Sequence, residues 1–198
     1  MENLKPWQIP NEQWSEFKMN RLLTVGSLIL TTPTMNQVDQ IAGLLRGENA
    51  LVPVKPYEIV ESIEYGLSLV AINPLEEDKV VGFQSLGLWT EYQLIELRSA
   101  KVDEKHRGGG VNTLMKKLAI QIGKEKYPGW NFLGFTEAES KSRGILLKLG
   151  FQVIPLERVA KEFYNLSTIC PADCAITKAG HICGCQVYLL NPYEQNYN

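Results

Sequence analysis

Two periodicities organise the hydrophobic and polar positions of this chain. Met35, Val38, Ile41, Ala42 and Leu45 recur at helical spacing, which predicts a helix running from a Thr34 cap to Leu45. Pro53 and Pro56 introduce a shorter helix, Tyr57 to Tyr65. Upstream, Pro10-Asn11 caps an amphipathic helix expected from Glu12 to Leu23, with Trp14, Phe17 and Leu22 or Leu23 on its apolar side. Strand-like runs cover Leu28 to Thr31, Leu67 to Ile72, Lys79 to Ser85 and Gln93 to Ser99. Asn73 to Asp78 reads as a hairpin loop, so the last three of these runs are expected to form an antiparallel meander. The longest helical stripe is Val111, Leu114, Met115, Leu118 and Ile122, with Lys116, Lys117 and Gln121 expected to face away. Pro128-Gly129 stops that helix. Trp130 to Phe135, a helix from Ser140 to Leu149, a strand from Phe151 to Leu156 and a final apolar run, Gln186 to Leu190, complete the pattern. A mixed sheet covered by helices follows, and crossovers through 111–126 and 140–149 are expected to make their flanking strands locally parallel.

Composition narrows the class without naming it. At 198 residues, 44% hydrophobic and 21% charged, the chain has enough apolar material for one folded domain. A net charge of −2 argues against a nucleic-acid partner. No apolar run is long enough for a bilayer, so no membrane partner is expected. The opening residues, Met1 to Trp7, lack the basic segment and apolar core of a secretory signal, which leads to an expected cytoplasmic location. The expected assembly is a monomer or a homodimer.

Between the fourth strand-like run and the long helix stands Lys105-His106-Arg107-Gly108-Gly109-Gly110-Val111-Asn112. Glycines let the backbone approach a ligand closely, and the helix that follows offers unpaired N–H groups and the positive end of its dipole. A phosphate beside Arg107 would suit such a place; an ordinary tight turn explains the glycines equally well. No Gly-Lys-Ser/Thr follows, so this is not a Walker A loop, and the preceding meander excludes a dinucleotide-binding opening unit.

In context the run resembles the central motif of the Gcn5-related N-acetyltransferase family, Arg/Gln-x-x-Gly-x-Gly/Ala. Arg107, Gly110 and Asn112 occupy that pattern, with Asn112 departing from the usual small last residue. Glu96 followed by Val102 to Gly108 matches the acidic strand residue and the Val-x-Pro-x-x-Arg-Gly run, with Glu104 in place of proline. Lys148 to Phe151 is similar to the family's ending of the helix before the sixth strand. The likeness spans about Leu28 to Leu156. It implies an α/β (α+β) acyl-coenzyme A N-acyltransferase fold, with a central mixed sheet of about six to seven strands flanked by helices. The implied layout is a single domain, 1–198, with an N-terminal helical extension 1–23, a core of about 24–156 and a cysteine-rich segment 157–198. The implied activity is transfer of an acetyl or other acyl group from acetyl-coenzyme A to an amine of a small molecule or peptide. The pyrophosphate would be held by Arg107, Gly108, Gly109, Gly110, Val111 and Asn112, and the pantetheine by the backbone of strand 94–102, including Ala100, Lys101 and Val102. Glu139 occupies the position of a pantetheine-binding asparagine, and Arg143 is a candidate for the cofactor phosphates.

Amine acylation requires a neutral nucleophile, so a base is needed, and Glu96 matches the family's acidic position. The ordinary alternative for Glu96 is a strand glutamate paired with Arg98 or Lys79. His106 has a suitable proton affinity but sits on the phosphate side. The family's tyrosine acid falls at Leu146, which cannot donate a proton; either Tyr164, Ser142 or Thr136 substitutes, or the thiolate leaves without direct protonation. That leucine keeps open a non-catalytic acyl-coenzyme A-binding or sensor protein.

Cys170, Cys174, Cys183 and Cys185, with His181 among them, offer five ligands for a structural zinc that would take four. Their spacing lacks paired Cys-x2-Cys elements, and buried free thiols are the alternative. A metal-clipped interaction protein is therefore the third reading. The long segment 158–185, with Glu162, Phe163 and Tyr164, is expected to border the acceptor pocket.

Overall fold

The computed structural model of the chain describes residues 22–46, 54–154 and 185–191. Its first element is a hairpin of β1 (Leu22–Val25) and β2 (Leu28–Thr31), in which Leu23 faces Leu30. Leu22 and Leu23 therefore open a strand and do not end a helix. With Leu23, Leu28 and Leu30 buried, the burial follows the two-residue period of a strand. The rest of the expected helix from Glu12, with its Pro10-Asn11 cap, lies outside the described residues.

Helix α1 (Val38–Leu45) follows a 3-10 turn, Met35–Gln37, whose start is closed by Gln37 Oε1 accepting from Thr34 N at 2.9 Å. Helix α2 (Pro56–Glu64) starts on a proline, where no N–H is lost, and Glu58 Oε2 accepts from Lys55 N at 2.8 Å. These helices bury Ile41, Leu45 and Ile59 against Val70 of β3 (Ser68–Asn73) and Val80 and Phe83 of β4 (Lys79–Trp89). A 3-10 turn, Pro74–Glu76, joins the two strands, with Asn73 Oδ1 accepting from Leu75 N at 3.1 Å. The remaining elements are β5 (Leu94–Val102), α3 (Val111–Lys126), β6 (Asn131–Glu137), α4 (Lys141–Lys148), β7 (Gln152–Ile154) and β8 (Cys185–Leu190).

Among the described residues the strands form a mixed sheet of eight, in the order β1-β2-β3-β4-β5-β6-β8-β7, flanked by helices. This exceeds the six to seven strands expected from the sequence because β1 joins the sheet. The crossover through α3 produces the expected parallel pair, Leu94–Glu96 of β5 with Asn131–Leu133 of β6. Through α4 the flanking strands also run parallel, but they are not neighbours. β8 lies between β6 and β7, antiparallel to both, so those two strands run the same way without touching. Val187, Tyr188 and Leu190 of β8 are all buried there.

Two compact units divide the described residues: 22–46, 54–87 and 97–126 in one, 88–96, 127–154 and 185–191 in the other. In the first, alternate residues of β4 face opposite helices. Phe83 meets the α1 and α2 cluster, whereas Gly82 lies under Met115 of α3. A Cβ on Gly82 would stand 2.9 Å from Ala71 Cβ and 3.1 Å from Met115 Sδ. Gly82→Val is accordingly expected to cost about 1–3 kcal/mol through overpacking, read from the urea unfolding midpoint. The second unit is built on Leu94, Leu133, Ile154 and Val187, with Trp89, Tyr92, Phe135 and Leu189 packed around them. Among the described residues, no helix is long and apolar enough to cross a membrane.

Candidate functional site

The glycine loop is shaped by its own flanks. After β5, Asp103 N donates to Val81 O at 2.8 Å, and Asp103 Oδ1 accepts from Lys105 N at 3.0 Å to start a 3-10 turn, Glu104–His106. Arg107 then folds back. Its Nε donates to Val102 O at 2.8 Å and its guanidinium lies 3.5 Å from Glu104 Oε1. Arg107 thereby ties the mouth of the loop to the end of β5. Gly108 and Gly110 take φ +91° and +80°, a region that side-chain-bearing residues rarely enter. A Cβ built on Gly108 or Gly109 would meet nothing within 4 Å, so the glycines are not required by crowding within the described protein.

Helix α3 begins at Val111, with Leu114 N donating to Gly110 O at 3.0 Å. The amides ahead of Leu114 belong to the first turn of a helix, where no intrahelical acceptor exists, and the first turn carries no acidic residue. An open backbone cradle at the positive end of a sixteen-residue helix suits a phosphate. Asn112 is half-buried in that first turn. His106 turns away from the role of base, its Nε2 lying 3.7 Å from Glu76 Oε1 on the β3–β4 turn.

Along β5, Val102 is buried, Ala100 is half-buried and Lys101 Nζ donates to Arg46 O at 3.3 Å. Ser99 takes φ +50° in the middle of the strand, a departure that no residue pattern announced. The peptide that precedes it is also held unusually, since Arg98 O accepts from the side chain of Gln84 at 2.7 Å.

Glu96 is the last β5 residue in the parallel ladder, opposite Leu133, and is half-buried. Its Oε2 accepts from the Trp89 indole Nε1 at 3.1 Å. Trp89 is itself packed against the Leu94, Leu133, Ile154 and Val187 cluster, so the carboxylate is oriented by a wedged ring. Lys79, one of the partners expected for Glu96, is engaged with Glu76 at 3.3 Å. Sequence reasoning missed Trp89; the available signal was an indole at the far end of the preceding strand.

Glu139 and Arg143 are exposed, Arg143 in the first turn of α4 with its N–H donating to Ser140 O at 3.0 Å. Leu146 is 2% exposed and packs on β6, where a Cβ on Gly134 would stand 3.0 Å from its Cδ1. The position of the expected acid is therefore a core position. Ser142 and Thr136 are half-buried. Cys170, Cys174, His181, Cys183, Glu162, Phe163 and Tyr164 lie outside the described residues, and Cys185 opens β8. Among the described residues no group of three or more His, Cys, Asp or Glu is placed to hold a metal.

One expectation is corrected outright. Lys116 does not face away with Lys117 and Gln121; it is 4% exposed, its Nζ 3.4 Å from Oε1 of the fully buried Gln84. Helix α3 packs so closely on Gly82 that its buried face widens past Met115 to include this neighbour. Burial lowers the Lys116 pKa from 10.5 to about 8. Between those two values the unfolded chain holds a proton that the folded chain has released, so stability rises with pH across that window. Below about 8 the folded protein bears the cost of a buried ammonium. The wild-type protein is therefore expected to gain stability relative to Lys116→Met between about pH 7 and about pH 10, read by urea unfolding at both.

The arrangement of strands and helices is shared with several solved structures. A Mycobacterium tuberculosis protein in complex with CoA superposes with a TM-score of 0.60 at 19% identity, over 81% of this chain and 97% of that one. A chain of the NatC complex bound to Gag peptide and CoA gives 0.59 at 12% identity, over 82% of this chain and 96% of that one. A Sinorhizobium meliloti phosphinothricin acetyltransferase of the GNAT superfamily, in complex with AcCoA, gives 0.54 at 16% identity, over 65% and 77%. The fold is that of the Gcn5-related N-acetyltransferases. No family model matches the chain, and no curated protein sequence matches it.

Proposed function

We propose that the chain is an N-acetyltransferase that moves an acetyl group from acetyl-coenzyme A to an amine on a small molecule or a peptide. The observation that carries this reading is the open glycine loop at the start of α3, where positive-φ glycines meet a helix terminus free of acidic residues. Those features fit a pyrophosphate: there is space where side chains would stand, and the partial charge has the right sign. Backbone amides from Gly108 to Asn112 would hold it, with Arg107 fixing the loop against Val102. When bound, acetyl-coenzyme A supplies the acyl group as a thioester.

The chain's own task is to deliver a neutral amine. Glu96, oriented by the Trp89 indole, would take the proton from an acceptor ammonium, directly or through water. The phosphinothricin acetyltransferase and the NatC complex bound to a peptide both resemble this chain in fold, so the fold does not select among acceptors.

A second reading, a non-catalytic acyl-coenzyme A sensor, is favoured by Leu146, which fills the position of the proton donor with buried hydrocarbon. Equilibrium titration with acetyl-coenzyme A followed by a thiol-release assay over diverse amines separates the two. Binding with turnover on at least one amine is the expected result. Saturable binding with no thiol release across the panel would establish the sensor instead.

A further inference from the structure

Gln84 is fully buried on β4, on the same face as Gly82, and all of its polar atoms are engaged. Its Nε2 donates to Ser85 O at 2.8 Å and to Arg98 O at 2.7 Å. Its Oε1 accepts from Lys116 Nζ at 3.4 Å. A buried amide is tolerated only when satisfied, and here the satisfaction comes from a second buried polar group on another element. An apolar side chain would pack in the same place with less penalty. The network must therefore be tied to something that hydrocarbon cannot hold.

What it holds is the peptide between Arg98 and Ser99. A residue with a Cβ at φ +50° is disfavoured, and inside a strand it breaks the regular alternation of N–H and C=O groups. Gln84 occupies the carbonyl on the near side of that break. The lysine ammonium behind it polarises the amide, so each bond in the row from Lys116 through Gln84 to Arg98 O strengthens the next. With its carbonyl fixed, the backbone from Ser99 onward is presented in a set orientation.

Resting on the reading of β5 as the strand that receives the cofactor's pantetheine arm, we propose that Gln84, braced by Lys116, is a positioning residue for the thioester end of the donor. It acts through the Arg98–Ser99 backbone and touches no substrate atom. The nucleotide half of the cofactor, held at the glycine loop, does not depend on it.

The test uses two probes on the full chain by titration calorimetry: acetyl-coenzyme A and its nucleotide half, 3′-phospho-ADP. Gln84→Glu keeps an acceptor for Lys116 but has no N–H for Arg98 O. Acetyl-coenzyme A affinity is expected to fall about tenfold, as for one lost hydrogen bond, while 3′-phospho-ADP affinity stays within roughly twofold. Thermal unfolding followed by circular dichroism confirms that the variant is folded. Should Gln84→Glu fail to fold, Lys116→Met removes the brace alone and is expected to show a smaller loss of the same selectivity. Unchanged acetyl-coenzyme A affinity in a folded variant overturns the assignment, as does an equal loss for both probes. Wild-type protein that binds neither probe sinks the coenzyme A reading itself, and this inference with it.

Discussion

Gly110→Glu is expected to lower coenzyme A affinity on the order of a hundredfold, the equivalent of about 2.8 kcal/mol. Two contributions combine. Gly110 sits at φ +80°, where any residue with a Cβ is strained, so the loop would be driven toward another shape. The new carboxylate would also stand where the reading puts a pyrophosphate, replacing attraction to the helix terminus by repulsion. Helix α3 itself gains from the substitution, because a negative side chain near its N-terminus complements the dipole. That gain offsets part of the backbone strain, so the loss of stability is expected to be smaller than the loss of affinity, which calorimetry and thermal melts on the same sample would show. Gly108→Ala offers a milder comparison: its Cβ has open space, so any loss reports on backbone shape or on the ligand. Coenzyme A affinity equal to wild type in Gly110→Glu would remove the pyrophosphate from this loop.

Glu96→Gln is expected to reduce turnover about 10²–10⁴-fold, the range of a lost general base, with acetyl-coenzyme A affinity unchanged. The change is nearly isosteric, and the amide oxygen of the replacement can still accept from Trp89 Nε1, so the ring and its packing should stay in place. Turnover equal to wild type would show that Glu96 is only a strand residue satisfied by an indole.

Much of the fold was readable because local patterns carried it. The bounds of α3 follow from glycines ahead of Val111 and from Pro128-Gly129 behind Lys126, and the observed helix runs Val111–Lys126. The β3–β4 turn was readable for the same reason, since Asn73-Pro74 carries its own capping chemistry. Errors arose where a distant partner decides the outcome. Leu22–Val25 continues an apolar pattern from an expected helix, yet its pairing with β2 makes it a strand. The place of β8 between β6 and β7 carried no local signal either, because it depends on residues far along the chain.

At the site, the glycines and Glu96 were legible as residue types in a recognisable order. Trp89, Gln84 and Lys116 were not. A tryptophan, a glutamine and a lysine each have a common role elsewhere, and only the contacts in space single these out. Lys116 is the sharpest case: periodicity placed it in solvent, while the closeness of α3 to Gly82 put it inside. Ser99 shows the same limit for the backbone, since serine has no preference that would reveal a left-handed residue in mid-strand.

The placement of β8 bears on how the protein is made. β7 finds its sheet neighbour in a strand that begins thirty-one positions after Ile154, at Cys185. During synthesis at roughly 5–20 residues per second, that partner emerges only a few seconds after β7 does. Until then β6 presents an open edge with Phe132, Leu133 and Phe135 along it, the kind of surface that recruits other chains. Nascent protein stalled before Cys185 should therefore be the species most in need of a chaperone, and its complete counterpart far less so.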